Sequence, residues 1–200
     1  MIFGVASLLL LASTAAWFLM RNDVDAGPLF VNSGIDVTLP LPPGNTSGAV
    51  WGNLELRNPA RDPLIIDAII VHSAGKSTDV SAQSYVWDAD RVKIASGRSL
   101  VAWAKPIPST WTQVPRHASA GYTVLPSSSD PAEYRSDGTV VGPELVIELA
   151  AEAKSYKIDS VSVRYHIGTT SYETNAQNSI TLCPSTDLSP CGGRSSVPEP

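Results

Sequence analysis

Three histidines, two cysteines and 19 carboxylates are the groups with which this 200-residue chain could do chemistry. His72, His117 and His166 are far apart in sequence, and nothing local pairs any of them with a second metal ligand. Asp88-Ala89-Asp90 offers two carboxylates but lacks the further spaced ligands and glycine of a calcium loop. Gly75-Lys76-Ser77 ends like a phosphate-binding loop, yet Ile70 stands where that loop needs its first glycine. There is no G-x-S-x-G elbow, no H-E-x-x-H and no G-x-G-x-x-G. Glycoside hydrolysis would need two carboxyls about 5–9 Å apart in a cleft, and no feature marks such a pair. The expectation is therefore no catalytic, cofactor-binding or metal-binding residue, and a protein that is not an enzyme.

Cys183 and Cys191 stand alone, in the segment LCPSTDLSPCGG. Pro184 and Pro190 lie just inside them and favour a tight loop. A structural zinc site wants four ligands and closer cysteine spacing. A local disulfide in an oxidising compartment fits better. Closing so short a loop stabilises by about 2–3 kcal/mol in the chain-entropy model.

The aromatics carry the candidate site. Trp51, Trp87, Trp103 and Trp111 follow the hydrophobic N-terminus, and Tyr85 shares a strand face with Trp87 by alternation. One or two tryptophans suffice for a small core. The remainder suggest an interaction patch of Tyr85, Trp87, Trp103 and Trp111, centred on the proline-rich connection from Trp103 to Trp111. Rigid aromatics on a loop are suited to a sugar or a partner protein. Asn45-Thr46-Ser47 also matches the acceptor pattern for N-glycosylation.

These residues need elements to hold them. Met1 to Met20 contains no charged side chain and ends at Arg21, Asn22, Asp23 and Asp25. Twenty helical residues rise about 30 Å, the thickness of a hydrocarbon core. A signal peptide would have a basic start and an apolar stretch of about 7–15 residues. Ser13-Thr14-Ala15 and Val24-Asp25-Ala26 are nevertheless passable cleavage sites. Residues 1–21 thus read as a transmembrane anchor or uncleaved signal, and the protein would be secreted if the leader is cleaved. Ala12 and Ala16 could pack on a partner helix. Arg21 pulls its flank towards the cytoplasm under the positive-inside rule, while the cysteine pair favours the extracytoplasmic side.

After a polar linker over 22–29, short apolar runs alternate with turn residues up to residue 191. Val50, Leu54 and Leu56 alternate with Asn53, Glu55 and Arg57, and Leu64–Val71 follows a turn over 58–63, so these two runs read as a hairpin. Ser84–Trp87, Val92–Ile94, Ser99–Trp103, Tyr122–Leu125, Glu144–Leu149 and Ile180–Leu182 read as further strands. Val161, Val163, Tyr165 and Ile167 face one way and Ser162, Arg164 and His166 the other, before a Gly168 turn and a return strand. Glu148–Lys154 is a short helical candidate or a strand's tail. The pattern predicts an all-β, immunoglobulin-like β-sandwich of about 8–10 antiparallel strands over 30–191, preceded by one hydrophobic helix and followed by a disordered tail over 192–200. The strand order is broadly similar to small immunoglobulin-like and copper-chaperone-like sandwiches of cell envelopes. A copper carrier would offer Met and His ligands, but Met1 and Met20 both lie in the leader.

A net charge of −5 argues against nucleic acid, which attracts clustered Lys and Arg. The sequence therefore predicts a membrane-anchored, extracytoplasmic binding or assembly module with an envelope protein partner. A module binding cell-wall carbohydrate through tryptophan, and an envelope metal carrier or enzyme, are the alternatives.

Overall fold

The computed structural model describes residues 25–42, 44–87, 102–109, 115–127, 143–152, 154–185 and 191. The expected anchor, the tail, Asp88-Ala89-Asp90, Val92–Ile94 and Trp111 lie outside these residues. Among the described residues no helix is long and apolar enough to cross a membrane.

In chain order the strands are β1 (Phe30–Val31), β2 (Asp36–Pro40), β3 (Ala49–Arg57), β4 (Leu64–Ser73), β5 (Lys76–Asp79), β6 (Ser84–Trp87) and β7 (Ala102–Ala104). They continue with β8 (Arg116–Ala118), β9 (Thr123–Val124), β10 (Glu144–Leu149), β11 (Tyr156–Ile158), β12 (Ser160–Ile167), β13 (Thr170–Ala176) and β14 (Ser179–Cys183). A 3-10 turn at Ser81–Gln83 lies between β5 and β6. The first sheet runs β1-β3-β10-β6-β8, with β7 also on β3. The second runs β13-β12-β4-β5, with β9 also on β4, and a third runs β11-β14-β2.

The protein is thus nearly all β, and one core joins the sheets into a sandwich. Trp51, Leu54, Leu56, Leu145 and Ile147 from the first sheet meet Ile66, Ile69, Val161, Val163 and Tyr165 from the second, with Ile180 and Leu182 from the third. Pairing is antiparallel throughout the two larger sheets, but β14 and β2 are parallel. The described strands exceed the expected number because several have only two or three residues. Glu148 and Leu149 end β10, so the helical candidate is the tail of a strand.

Two expectations are corrected. The expected hairpin of the first two long runs does not form, because β3 and β4 lie in opposite sheets. The turn between them crosses the sandwich and is organised by the buried Asn58. Its Nδ2 donates to the carbonyls of Asp62 (2.9 Å) and Val124 (3.0 Å), and its Oδ1 accepts from the Ala60 N–H. Each strand turns one apolar face to the core that the facing sheets share.

The second correction concerns Val50, which does not share a face with Leu54 and Leu56. Leu145 pairs with Leu54 but Ile147 pairs with Trp51, so β3 carries one extra residue. Asn53, at φ 58°, makes this bulge. Ala49 and Trp51 face the core before it, and Leu54 and Leu56 after it. Val50 is turned to the outer face, where a separate cluster waits. Asn32 clamps the bulge, its Nδ2 donating to the Asn53 carbonyl (2.7 Å) and its Oδ1 accepting from the Glu55 N–H (2.7 Å). A matching irregularity in β4 pairs Arg164 with Ala68 but Tyr165 with Ile66. It switches the core-facing set from Leu64 and Ile66 to Ile69 and Val71.

Candidate functional site

The outer face of the first sheet gathers Tyr85, Trp87 and Trp103, three of the four aromatics of the expected patch. Trp103 pairs with Val50, Val50 with Glu148, Val146 with Tyr85, and Trp87 with Arg116. Alternation puts all of these on the side away from the core. Val50, Tyr85, Trp87 and Val146 form a small second cluster, with Ile107 packed against it. The Tyr85 and Trp87 rings lie 5.7 Å apart.

Accessibility divides this set. Trp103 is 45% exposed, whereas Tyr85 is 7% exposed and Trp87 is fully buried. Tyr85 and Trp87 therefore form the floor of the patch and offer no open surface of their own. Ile107, in the segment after β7, packs against this cluster and so removes apolar surface from water. That segment is pinned by the Lys105 N–H on the Gly48 carbonyl (2.9 Å). Asn45 supports it as well. Its Nδ2 donates to the Lys105 carbonyl (3.2 Å), and its Oδ1 accepts from the Ser47 and Gly48 N–H groups. The amide of the glycosylation triplet is thus built into the rim.

An open groove of ≈ 330 Å³ remains, lined by Ser47, Val50, Lys105, Pro106, Ile107, Arg116 and Glu148. Glu148 sits between two cations, with Lys105 Nζ at 2.6 Å and Arg116 Nη1 at 3.1 Å. Two cations against one carboxylate leave a local excess of positive charge on an acidic protein. The Arg116 guanidinium also stacks 4.5 Å from the Tyr85 ring centre. Burial pushes the Tyr85 phenol up to about 12, against the pull of Arg116 and with a push from Glu148. Its hydroxyl is buried and has no hydrogen-bond partner among the described residues. The charged rim is the part that sequence reasoning missed. Lys105, Arg116 and Glu148 are spread over three segments, and only the strand order brings them together.

The histidines remain apart. His72 bonds Ser77 Oγ (2.9 Å) and Ser162 Oγ (2.8 Å), His166 bonds Asp67 Oδ1 (2.7 Å), and His117 lies 5.8 Å from the Tyr122 ring. Among the described residues no three His, Cys, Asp or Glu side chains gather as a metal site. Cys183 and Cys191 form a disulfide with Cα atoms 5.9 Å apart.

No family model matches this sequence, and no curated protein matches it either. Two solved structures share a loose likeness with the chain. The Vibrio cholerae VesB protease is 12% identical, with a TM-score of 0.29 over 84% of this chain and 34% of its own, so the chain spans about a third of that protein. Murine CRIg is 12% identical, with a TM-score of 0.31 over 80% of this chain and 100% of its own. Likeness at that level carries no inference about function. The class defined by the core and the sheets is the all-β sandwich.

Proposed function

We propose that the chain is an immunoglobulin-like β-sandwich that works by binding: a non-enzymatic module of an envelope complex, held by a membrane-spanning helix over 1–21 on the extracytoplasmic side. The observation that carries this reading is the groove on the first sheet. An exposed Trp103 stands beside a rim of Lys105, Arg116 and Glu148, with the buried Tyr85 and Trp87 on the same sheet face. An aromatic anchor with partly desolvated charges is the usual make-up of a contact surface. The disulfide supports an oxidising compartment, and an anchor would raise the local concentration of membrane partners.

The test is recovery of the full-length protein from its own membranes, with identification of what accompanies it. Trp103→Ala and Lys105→Glu should each lower recovery of one defined partner at least tenfold, with unchanged circular dichroism. Equal recovery by both variants refutes the groove as the contact. The same exposed Trp103 favours one second reading, a module for cell-wall carbohydrate. Trp fluorescence titrated with wall polysaccharide then shifts in the parent protein and not in Trp103→Ala.

A further inference from the structure

Residues 25–29, read from sequence as the end of a polar linker, are fastened to the second sheet. The Tyr165 hydroxyl accepts from the Leu29 N–H (2.9 Å) and donates to the Ala26 carbonyl (2.8 Å). Thr174 Oγ1 donates to the same Ala26 carbonyl (2.6 Å), and the Glu173 N–H donates to the Asp25 carbonyl (3.0 Å). Gly27, at φ +60°, lies so close to Tyr165 and Tyr172 that a Cβ would sit 2.3 Å from the Tyr165 hydroxyl. Only residues 22–24 then separate the apolar run from a fixed point on the domain. Four peptide steps from Arg21 to Asp25 reach at most roughly 14 Å.

Glu173 and Thr174 hold this segment midway along β13, and exposed apolar side chains collect at the end of the sandwich nearest the Gly168 turn. Phe30 is 47% exposed and pairs with Arg57 at the end of β3. Asn58, the next residue, bridges Pro126, beside Leu125, which is 67% exposed. The Gly168 turn lies at the same end, since His166 pairs with Ile65 near the start of β4. The described charged residues near this end are Glu55, Asp62, Asp67 and Glu144 with Arg57 and Arg61. Arg57 is held bidentately by Glu55 (2.6 and 2.9 Å) and stacks 5.6 Å from the Phe30 ring. Arg61 and Asp62 are both exposed and adjacent.

We propose that this end, with Phe30 and Leu125 foremost, rests on the headgroup layer of the bilayer that holds the anchor. The inference depends on the anchor reading above. The headgroup layer is roughly 5–8 Å deep on each side, so a span of at most roughly 14 Å keeps Asp25 within about 9 Å of its outer edge. Exposed Phe and Leu side chains carried on a polar surface bury into that layer. Because the described residues of this end carry no excess of Lys or Arg, the contact draws nothing from anionic lipid. The groove lies on a side face of the sandwich and stays open to a partner.

The test uses the full chain in phosphatidylcholine vesicles, with its disulfide intact. An environment-sensitive dye is placed at Leu125→Cys, at Arg61→Cys on the neighbouring loop, and at Lys76→Cys at the far end of β4, roughly 30 Å away at the rise of a strand. A nitroxide on the lipid headgroup should quench the dye several-fold more at 125 and 61 than at 76. Adding anionic lipid should leave that ratio unchanged. Flotation with the vesicles but equal quenching at all three sites overturns this orientation and spares the anchor. Failure to float after carbonate washing overturns the anchor and the orientation together.

Discussion

Tyr165 shows how far a residue can be read from sequence. Its place among Val161 and Val163 on the apolar face was legible, and all three are buried. Its hydroxyl was not, because its partners Leu29 and Ala26 lie at the other end of the chain. Burial raises the phenol pKa, so the group stays neutral and keeps both bonds. Tyr165→Phe leaves the buried Leu29 N–H without its acceptor. The expected loss is about 1–3 kcal/mol in urea unfolding, with amide exchange at 25–29 accelerated well beyond that of the core. Tyr172→Phe tests the specificity, since that side chain meets Tyr165 by ring stacking at 5.4 Å. It should change exchange at 25–29 far less.

At the scale of elements, alternation succeeded where a strand carries no extra residue and failed where it does. β12 has no bulge of its own, and its inward and outward sets were read correctly. In β3, Asn53 shifts the phase, and Val50 leaves the core for the outer cluster. Asparagine is among the few side chains that tolerate a positive φ, but a turn signal inside an apolar run is easily taken for a polar face. Asn53→Gly should unfold within a few tenths of a kcal/mol of the parent. Asn53→Val should lose about 1–2 kcal/mol, the cost of the left-handed region for an ordinary side chain. Urea midpoints of the two variants decide this. If valine is as well tolerated as glycine, the bulge does not hold the phase. The corner at Asn58 was equally hidden, because a turn's composition does not say whether the next strand pairs beside the last or crosses to the facing sheet. The candidate site has the same history. Trp103, Tyr85 and Trp87 were legible as aromatics, while the order β7-β3-β10-β6 that gathers them was not.

At the scale of the whole molecule, the shifted ionisable groups predict how stability depends on pH. Two carboxyls on the second sheet are depressed in the fold. Asp79, ordinarily 3.8, is lowered first by the Ser81 hydroxyl and then by the Ser81 backbone. For Glu173, ordinarily 4.5, burial is the largest single influence and acts upwards, but bonds from Arg164 and Ser162 and the charge of Arg164 together outweigh it. A depressed carboxyl stabilises the fold above its unfolded pKa. As pH falls below 4.5 the unfolded chain takes up its protons first, and that contribution is lost. Tyrosines give the opposite limb. Burial pushes Tyr85 and Tyr156 up to about 12 from 10.0, so the unfolded chain loses those protons first as pH rises. For these groups stability is flat between pH 4.5 and 10.0 and falls on both sides. Glu173→Gln should flatten the acid limb and leave the alkaline one alone. Tyr85→Phe should do the reverse, at little cost near neutrality, because its hydroxyl has no partner among the described residues. Urea unfolding across this range measures both limbs. If Tyr85→Phe leaves the alkaline limb unchanged, the phenol titrates alike folded and unfolded, and Tyr85 is open to water.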